Sequence, residues 1–407
     1  MYKKRHIENI IPTIEKMYGA ILVTGPRQVG KTTLLENYTK LQPISLDDST
    51  TRIIANEEPT TFLNGHKKPV LIDEIQKSPN LFSQIKYEID KDRNKKCLFY
   101  MTGSEKFQLM KGISESLSGR IGILNLIGLS RREYYEINNV LPFISSNEYF
   151  ENIKYQIEHI SDDELWYLIH RGSLPELLLN DDFRWDIYYS NYLNTYIERD
   201  IRSSIEESNL NKFNKFLVNC AALCGEVLNL NNIAKNVGIS QPTADRWLSK
   251  LCETNIVYLL KPYSNNVIKR VVKSPKLYFT DTGFASYLTK WNSPETLKNG
   301  AMSGHLFENY TIMEIYKSYI NNGISEPPFY YYRDNNGKEI DLIIEDGDML
   351  YPIEIKQSAD PKRSDVKNFN EIDNISDKKR GKGTLICRYE KLDMITEKDY
   401  IVPIEYL

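Results

Sequence analysis

Short apolar runs separated by amphipathic stretches mark the first third of the chain. Residues 20–23, 42–48, 68–74, 97–104 and 121–127 each carry apolar residues at their centre. Strands buried on both faces read this way, so the pattern predicts a parallel sheet. Amphipathic segments between the runs complete an α/β unit. From about residue 155 the period changes. Residues 162–171 and 183–207 carry apolar positions at helical spacing. Residues 230–237 and 241–253 read as two short helices joined by Gly238-Ile239-Ser240, with Ser240 as the N-cap of the second. The β-prone segments 256–263 and 267–279 follow, which turns a helix-turn-helix into a winged helix. From about residue 300 a helix at 304–320 precedes strands at 329–333, 339–345, 350–356 and 383–388. Turns are expected at Asn335-Asn336-Gly337 and Asp346-Gly347-Asp348. Three domains follow from these shifts, at 1–150, 151–295 and 296–407.

Composition narrows the class. A chain of 407 residues exceeds one ordinary core. It is 41% hydrophobic and 26% charged, as soluble proteins are, and its net charge is −3. No global field attracts nucleic acid, so a DNA-binding face must be a local patch. Five cysteines include no C-x-x-C pair. Cys220 and Cys224 lie four apart with no histidine pair nearby, so zinc is not indicated. The odd count suits a reducing cytoplasm. No signal segment or membrane-length apolar run is visible, so a cytoplasmic protein without a membrane partner is expected.

The chemistry begins at Gly25-Pro26-Arg27-Gln28-Val29-Gly30-Lys31-Thr32, followed by Thr33. This is G-x-x-x-x-G-K-T between a strand and a helix, a phosphate-binding loop. Gly25 and Gly30 let backbone N–H groups converge on one concavity. Lys31, expected to face solvent, would reach the β- and γ-phosphates. The Thr32 hydroxyl would ligate Mg²⁺. Val70-Leu71-Ile72-Asp73-Glu74 ends a second buried strand in two acids. Asp73 would hold the same Mg²⁺, and Glu74 would deprotonate the attacking water. Ser104 closes the next strand, within reach of the γ-phosphate or the water, while Thr102 reads as structural. Arg120, at the entry to a further strand, could meet the γ-phosphate of its own subunit or a neighbour's. A surface arginine is the plainer reading of that position.

These motifs resemble the prokaryotic AAA-type ATPases, allied to the STAND NTPases, that carry a C-terminal domain of unknown function. The matching stretches are residues 25–33, 71–76, 102–104, 116–120 and 196–201. The resemblance implies an additional-strand ATPase core, with a sensor strand between the two Walker strands. It also implies a helical segment and a winged helix beyond. In Tyr196-Ile197-Glu198-Arg199-Asp200-Ile201, three charges interrupt an apolar helical stretch, and Arg199 is expected to face the nucleotide. A surface ion network is the rival reading.

Two further groups carry candidate chemistry. Asp341 on one strand, Glu354-Ile355-Lys356 on the next and Glu308 on a preceding helix resemble the PD-(D/E)xK nuclease fold. Gln357 stands where some relatives of that fold use Gln, and Ile340 replaces the usual Pro. In that fold the acids hold Mg²⁺ and the lysine positions water. The rival is a hairpin with alternating surface charge. On the second helix of the helix-turn-helix, Gln241, Thr243, Arg246 and Lys250 could contact DNA, aided by Lys269, Arg270 and Lys273. A protein-docking module is the alternative. The expected function is therefore an ATP- and Mg²⁺-dependent ATPase whose nucleotide state positions the later domains. The rivals are an ATP-regulated DNA nuclease and a non-enzymatic switch with a protein partner.

Overall fold

A computed structural model describes residues 2–104, 109, 112–113, 115–157, 159–196, 209–264, 274–375 and 377–407. The chain forms two compact units. The first comprises Met1–Leu129, Glu253–Asn255 and Ile320–Ser325; the second comprises Ser130–Cys252, Ile256–Tyr319 and Glu326–Leu407.

In the first unit β1 (Ala20–Thr24) leads through a loop into α1 (Lys31–Thr39). Then come β2 (Pro43–Ser45), β3 (Val70–Asp73), α2 (Asn80–Lys91), β4 (Phe99–Gly103) and β5 (Ile121–Asn125). The strands pair in parallel in the order β2-β3-β4-β1-β5. β4 thus lies between β3 and β1, as expected for an additional-strand core. β1 and β4 are buried throughout, which is why their sequences are almost wholly apolar. Leu22, Ile72, Phe99 and Met101 from the sheet pack with Phe82 and Ile85 of α2. The fold is a mixed α/β arrangement around a parallel sheet, with a further α/β region toward the C-terminus.

The second unit begins with helices. Residues 162–171 form α3 (Asp162–Arg171), capped by Ser161, whose Oγ accepts the Glu164 N–H. The helix expected at 183–207 is described as α4 (Trp185–Tyr196). Arg199 lies outside the described residues. α5 (Leu210–Ala222), α6 (Leu230–Val237) and α7 (Gln241–Glu253) follow. Gly238, at φ 74°, turns the chain between α6 and α7. The Ser240 Oγ accepts the Thr243 N–H at 3.3 Å, as a cap does. Trp247 of α7 is buried edge-on against Phe213 and Phe216 of α5.

β6 (Val257–Pro262) then pairs antiparallel with β7 (Lys276–Phe279). Lys269, Arg270 and Lys273 lie outside the described residues. After α8 (Ser303–Ile320) come β8 (Phe329–Arg333), β9 (Glu339–Asp346), β10 (Met349–Ile355), β11 (Lys379–Arg380), β12 (Gly383–Cys387), β13 (Asp393–Thr396) and β14 (Asp399–Pro403). One sheet joins them in the order β13-β14-β12-β10-β9-β8-β6-β7, with β11 beside β10. Ile343, Leu350 and Leu385 on this sheet pack with Phe369 and Ile372 of the 3₁₀ segment Arg363–Asn374. The Asn309 side chain of α8 clamps β7. It accepts the Phe279 N–H and donates to the Phe279 carbonyl, both at 2.8 Å.

Candidate functional site

The loop between β1 and α1 is shaped by its glycines. Gly25 has φ 148°, and a Cβ there would stand 1.8 Å from the Leu126 carbonyl oxygen. No other residue fits that approach. Gly30, at φ 86°, is the left-handed N-cap of α1. Backbone N–H groups of Lys31, Thr32 and Thr33 open the helix, where the helix dipole favours an anion. Pro26, Arg27, Gln28 and Val29 form the curl, Gln28 with φ 62°.

Lys31 departs from expectation. It is only 7% exposed, and its ammonium donates to the loop's own carbonyls, Gly25 at 3.1 Å and Pro26 at 2.7 Å. A buried ammonium needs acceptors for its donors, and these carbonyls are within reach.

Asp73 and Glu74 leave β3 toward the same loop. The Thr32 hydroxyl donates to Asp73 Oδ1 at 2.5 Å. The Thr102 hydroxyl donates to the same oxygen and accepts the Glu74 N–H at 3.2 Å. Thr102 is therefore part of the constellation and more than structural filler. Ser104 Oγ donates to Glu74 Oε2 at 3.3 Å, and the Gln76 amide donates to that oxygen as well. Glu74 itself has φ 57°, a left-handed conformation that costs a non-glycine residue. The hard oxygens of Thr32 and Asp73 sit side by side, a donor set that fits Mg²⁺.

Arg120 is corrected for its own subunit. It precedes β5, whereas the phosphate loop follows the far end of the parallel neighbour β1. Five residues at about 3.3 Å each separate the two ends. Asp90 holds the guanidinium through two bonds, at 2.9 and 3.0 Å. Arg120 borders a cavity of about 270 Å³ whose lining includes Arg93, Lys95 and Lys96.

One residue beside the loop gave no signal in the sequence. Arg5 is 3% exposed and donates to the carbonyls of Val29 (3.0 Å), Ile127 (2.8 Å) and Gly128 (3.2 Å). It ties the phosphate loop to the exit of β5. Within a basic N-terminal run, nothing marks it from its neighbours.

In the second unit the acids of the C-terminal motif come together, with an addition. Asp341 Oδ2 accepts the Ile355 N–H at 2.9 Å. The Lys356 ammonium donates to Glu354 Oε1 at 2.6 Å, and its side chain is 42% exposed, at the rim. The other Glu354 oxygen is buried without a hydrogen-bond partner. The addition is Lys276, on β7, with a side chain only 3% exposed. Its ammonium lies 2.6 Å from Glu339, 3.3 Å from Glu308 and 3.7 Å from Asp341. The Tyr278 hydroxyl, on the same face of β7, donates to Glu308 at 2.6 Å.

The electrostatics record this crowding. Burial, then the Asp341 charge, push the Glu308 carboxyl up to about 7, against Lys276 and Tyr278. The same two causes push Glu354 up to about 8, against Lys356. Burial works against the Lys276 charge, but Glu308, Asp341 and Glu339 outweigh it and raise that group above the lysine range. Among the described residues, no three His, Cys, Asp or Glu side chains are arranged to hold a metal ion. Of the expected metal trio, Glu308 and Asp341 face the Lys276 ammonium and Glu354 faces that of Lys356. The cation set among Glu308, Glu339 and Asp341 is an ammonium. Lys276 could have been noticed as a lone lysine in the apolar run Lys276-Leu277-Tyr278-Phe279.

On α7, Gln241 and Arg246 are exposed, Thr243 and Lys250 half-buried. The Thr243 hydroxyl is engaged with Ser240 at 2.9 Å. Asp245 adds an exposed acid beside Arg246. Among the described residues no helix is long and apolar enough to cross a membrane.

Comparison with known proteins assigns the parts. Residues 18–135 match the family model "AAA domain". Residues 162–295 match "Domain of unknown function (DUF8612)" and residues 303–407 match "Domain of unknown function (DUF4143)". An uncharacterized protein of Mycobacterium tuberculosis is 27% identical over 347 residues, covering 84% of this chain and 71% of the relative. One of Mycobacterium bovis matches to the same extent. Among solved structures, a Walker-type ATPase of Pyrococcus abyssi is similar at 15% identity and TM-score 0.45, over 71% of this chain and 96% of that one. The RuvB Holliday junction branch migration motor of Thermotoga maritima is similar at 15% identity and TM-score 0.31, over 62% and 88%. With the AAA match and the strand order together, the first unit carries a P-loop ATPase fold, an ATP-binding architecture.

Proposed function

We propose that the chain binds ATP with Mg²⁺ and hydrolyses it to ADP and phosphate. The observation that carries this reading is the 2.5 Å contact between Thr32 and Asp73, beside Lys31 and Glu74. Residues 25–33 would wrap the phosphates with backbone N–H groups, and Lys31 would leave the Gly25 and Pro26 carbonyls for the β- and γ-oxygens. Mg²⁺, held by Thr32 and Asp73, would supply positive charge against the phosphate oxygens. Glu74 would hold the attacking water and take its proton as the bond to the leaving ADP breaks. Ser104 and Gln76 would orient the Glu74 carboxylate. Arg120, remote from its own loop, would serve a neighbouring copy's γ-phosphate. Arg199 stays in the proposal as a coupling residue.

The nucleotide state would position the regions beyond. The order α5, α6, α7, β6, β7 supports a winged helix, with exposed Gln241 and Arg246 as its DNA-contacting side chains. Thr243 and Lys250 would contribute less, being half-buried. Convergence of Glu308, Asp341, Glu354 and Lys356 supports a nuclease-like architecture for 296–407. A protein partner at the winged helix is the competing use of that surface. The domain limits 1–150, 151–295 and 296–407 remain part of this reading. Five cysteines with no disulfide suit the cytoplasm.

Phosphate release by the purified chain, with Mg²⁺ and with EDTA, tests the reading. Mg²⁺-dependent release that Glu74→Gln abolishes is expected. ATP binding without any turnover would favour a nucleotide switch.

A further inference from the structure

The PD-(D/E)xK resemblance implies a divalent ion among Glu308, Asp341 and Glu354. The residues do not fit one. We infer that Lys276 is the resident cation of this cluster and keeps divalent metal out of it. The inference rests on the carboxylate geometry alone and stands whether or not the chain hydrolyses ATP.

Four observations carry it. First, Lys276 is buried, so its charge has no water to answer it. Its partners must be the acids it touches, Glu339 at 2.6 Å, Glu308 at 3.3 Å and Asp341 at 3.7 Å. Second, a metal ion bonds carboxylate oxygens at 2.0–2.6 Å. An ion on the Glu308 and Asp341 oxygens would share them with a buried ammonium, like charge against like charge. Third, the strand that carries the lysine is anchored. Its Cα belongs to β7, whose neighbour Phe279 is clamped by both ends of the Asn309 amide. Fourth, two of these acids each take a further, neutral donor. Tyr278 donates to Glu308, and the Ile355 N–H donates to Asp341.

The cluster is then an electrostatic joint. It ties β7, the second strand of the hairpin after α7, to α8 and to β9 without a metal. Removing the ammonium should leave three facing acids uncompensated, and such a group attracts a divalent ion.

The test uses the full chain without nucleotide, carrying Asp73→Asn so that the phosphate loop contributes no metal site. Mn²⁺ is titrated in and the free ion is followed by electron paramagnetic resonance. No stoichiometric binding is expected up to millimolar Mn²⁺. Adding Lys276→Met should raise Mn²⁺ affinity at least about tenfold, because the repelling charge is gone. Adding Asp341→Asn as well should remove the gain. Stoichiometric Mn²⁺ binding by the Asp73→Asn chain that Asp341→Asn abolishes would overturn the inference. That comparison keeps the lysine in place, so it decides even if Lys276→Met does not fold.

Discussion

Two groups of acids in this molecule are built from the same residue types and held in opposite ways. At the end of β3, Asp73 and Glu74 are held by neutral donors. Hydroxyls of Thr32, Thr102 and Ser104 and the Gln76 amide aim their dipoles at the two carboxylates. Around the C-terminal sheet, Glu308 on α8 and Glu339, Asp341 and Glu354 on the strands face the ammoniums of Lys276 and Lys356. Neutral donors orient a carboxylate and leave its charge to act on something else. Ammoniums spend that charge on the fold. The first arrangement is suited to Mg²⁺ and a polarised water, and the second to cohesion. Motif matching cannot separate the two cases, because the decisive lysine lies outside the motif.

The largest effect should come from the phosphate loop. Lys31→Ala should remove measurable ATP binding by titration calorimetry. It also removes two hydrogen bonds to loop carbonyls, so a stability loss of about 1–2 kcal/mol should accompany it. Unchanged affinity would break the first half of the comparison. Glu74→Gln should keep ATP affinity and lower turnover by about 10²–10⁴-fold, since an amide does not take a proton at neutral pH. Wild-type phosphate release from that variant would remove Glu74 as base.

The next effect sharpens the second half. Lys276→Met should destabilise the chain by about 3–5 kcal/mol, read by chemical denaturation, because buried acids lose their counter-charge. Lys356→Met should cost less than about 1 kcal/mol, since that ammonium sits at the solvent-exposed rim. Equal costs would mean that the two lysines play the same part and that Lys276 is not special.

The sequence shows the first group more fully than the second, and the reasons are physical. Backbone-level motifs are local: Gly25, Gly30 and Lys31 fall within seven residues, and β3 delivers its acids at a strand end. The helices at 162–171, 230–237 and 241–253 were legible because caps and period agree there. Strand ends were overrun, as at 42–48, where only Pro43–Ser45 pairs. β13 and β14 were missed, because short strands separated by Glu397-Lys398 give little alternation to read. Lys276 was missed because its partners lie 32 to 65 positions away, on two other elements. Arg5 was missed because its acceptors are backbone carbonyls, which no side chain announces. Thr102 read as structural because a threonine ending a buried strand is ordinary until Asp73 is seen beside it.

The last effect concerns pH and belongs to the C-terminal acids. Glu308 and Glu354 have carboxyls pushed up to about 7 and about 8, from an ordinary value near 4.5. The folded chain therefore binds more protons at these groups than the unfolded chain does, and stability falls as pH rises toward 8. Glu308 faces Lys276, Tyr278 and Asp341, while Glu354 faces Lys356 and Asp341; none of these partners reverses the sign. His170 acts the other way lower down. Burial depresses it to about 4 from 6.5, so its contribution rises with pH until about 6.5 and then stops. Carboxylates held low, such as Asp48 and Glu88, have finished titrating well below that. Among the described residues with a resolved shift, Glu308 and Glu354 are the groups that titrate between pH 6.5 and 8. Across that window, denaturation should show a loss on the order of 1–2 kcal/mol. Glu354→Gln, which carries no charge at any of these pH values, should flatten the slope, and Asp73→Asn should leave it unchanged. A slope that survives Glu354→Gln and Glu308→Gln but disappears in Asp73→Asn would place the protonating acids at the phosphate loop and reverse the contrast between the two groups.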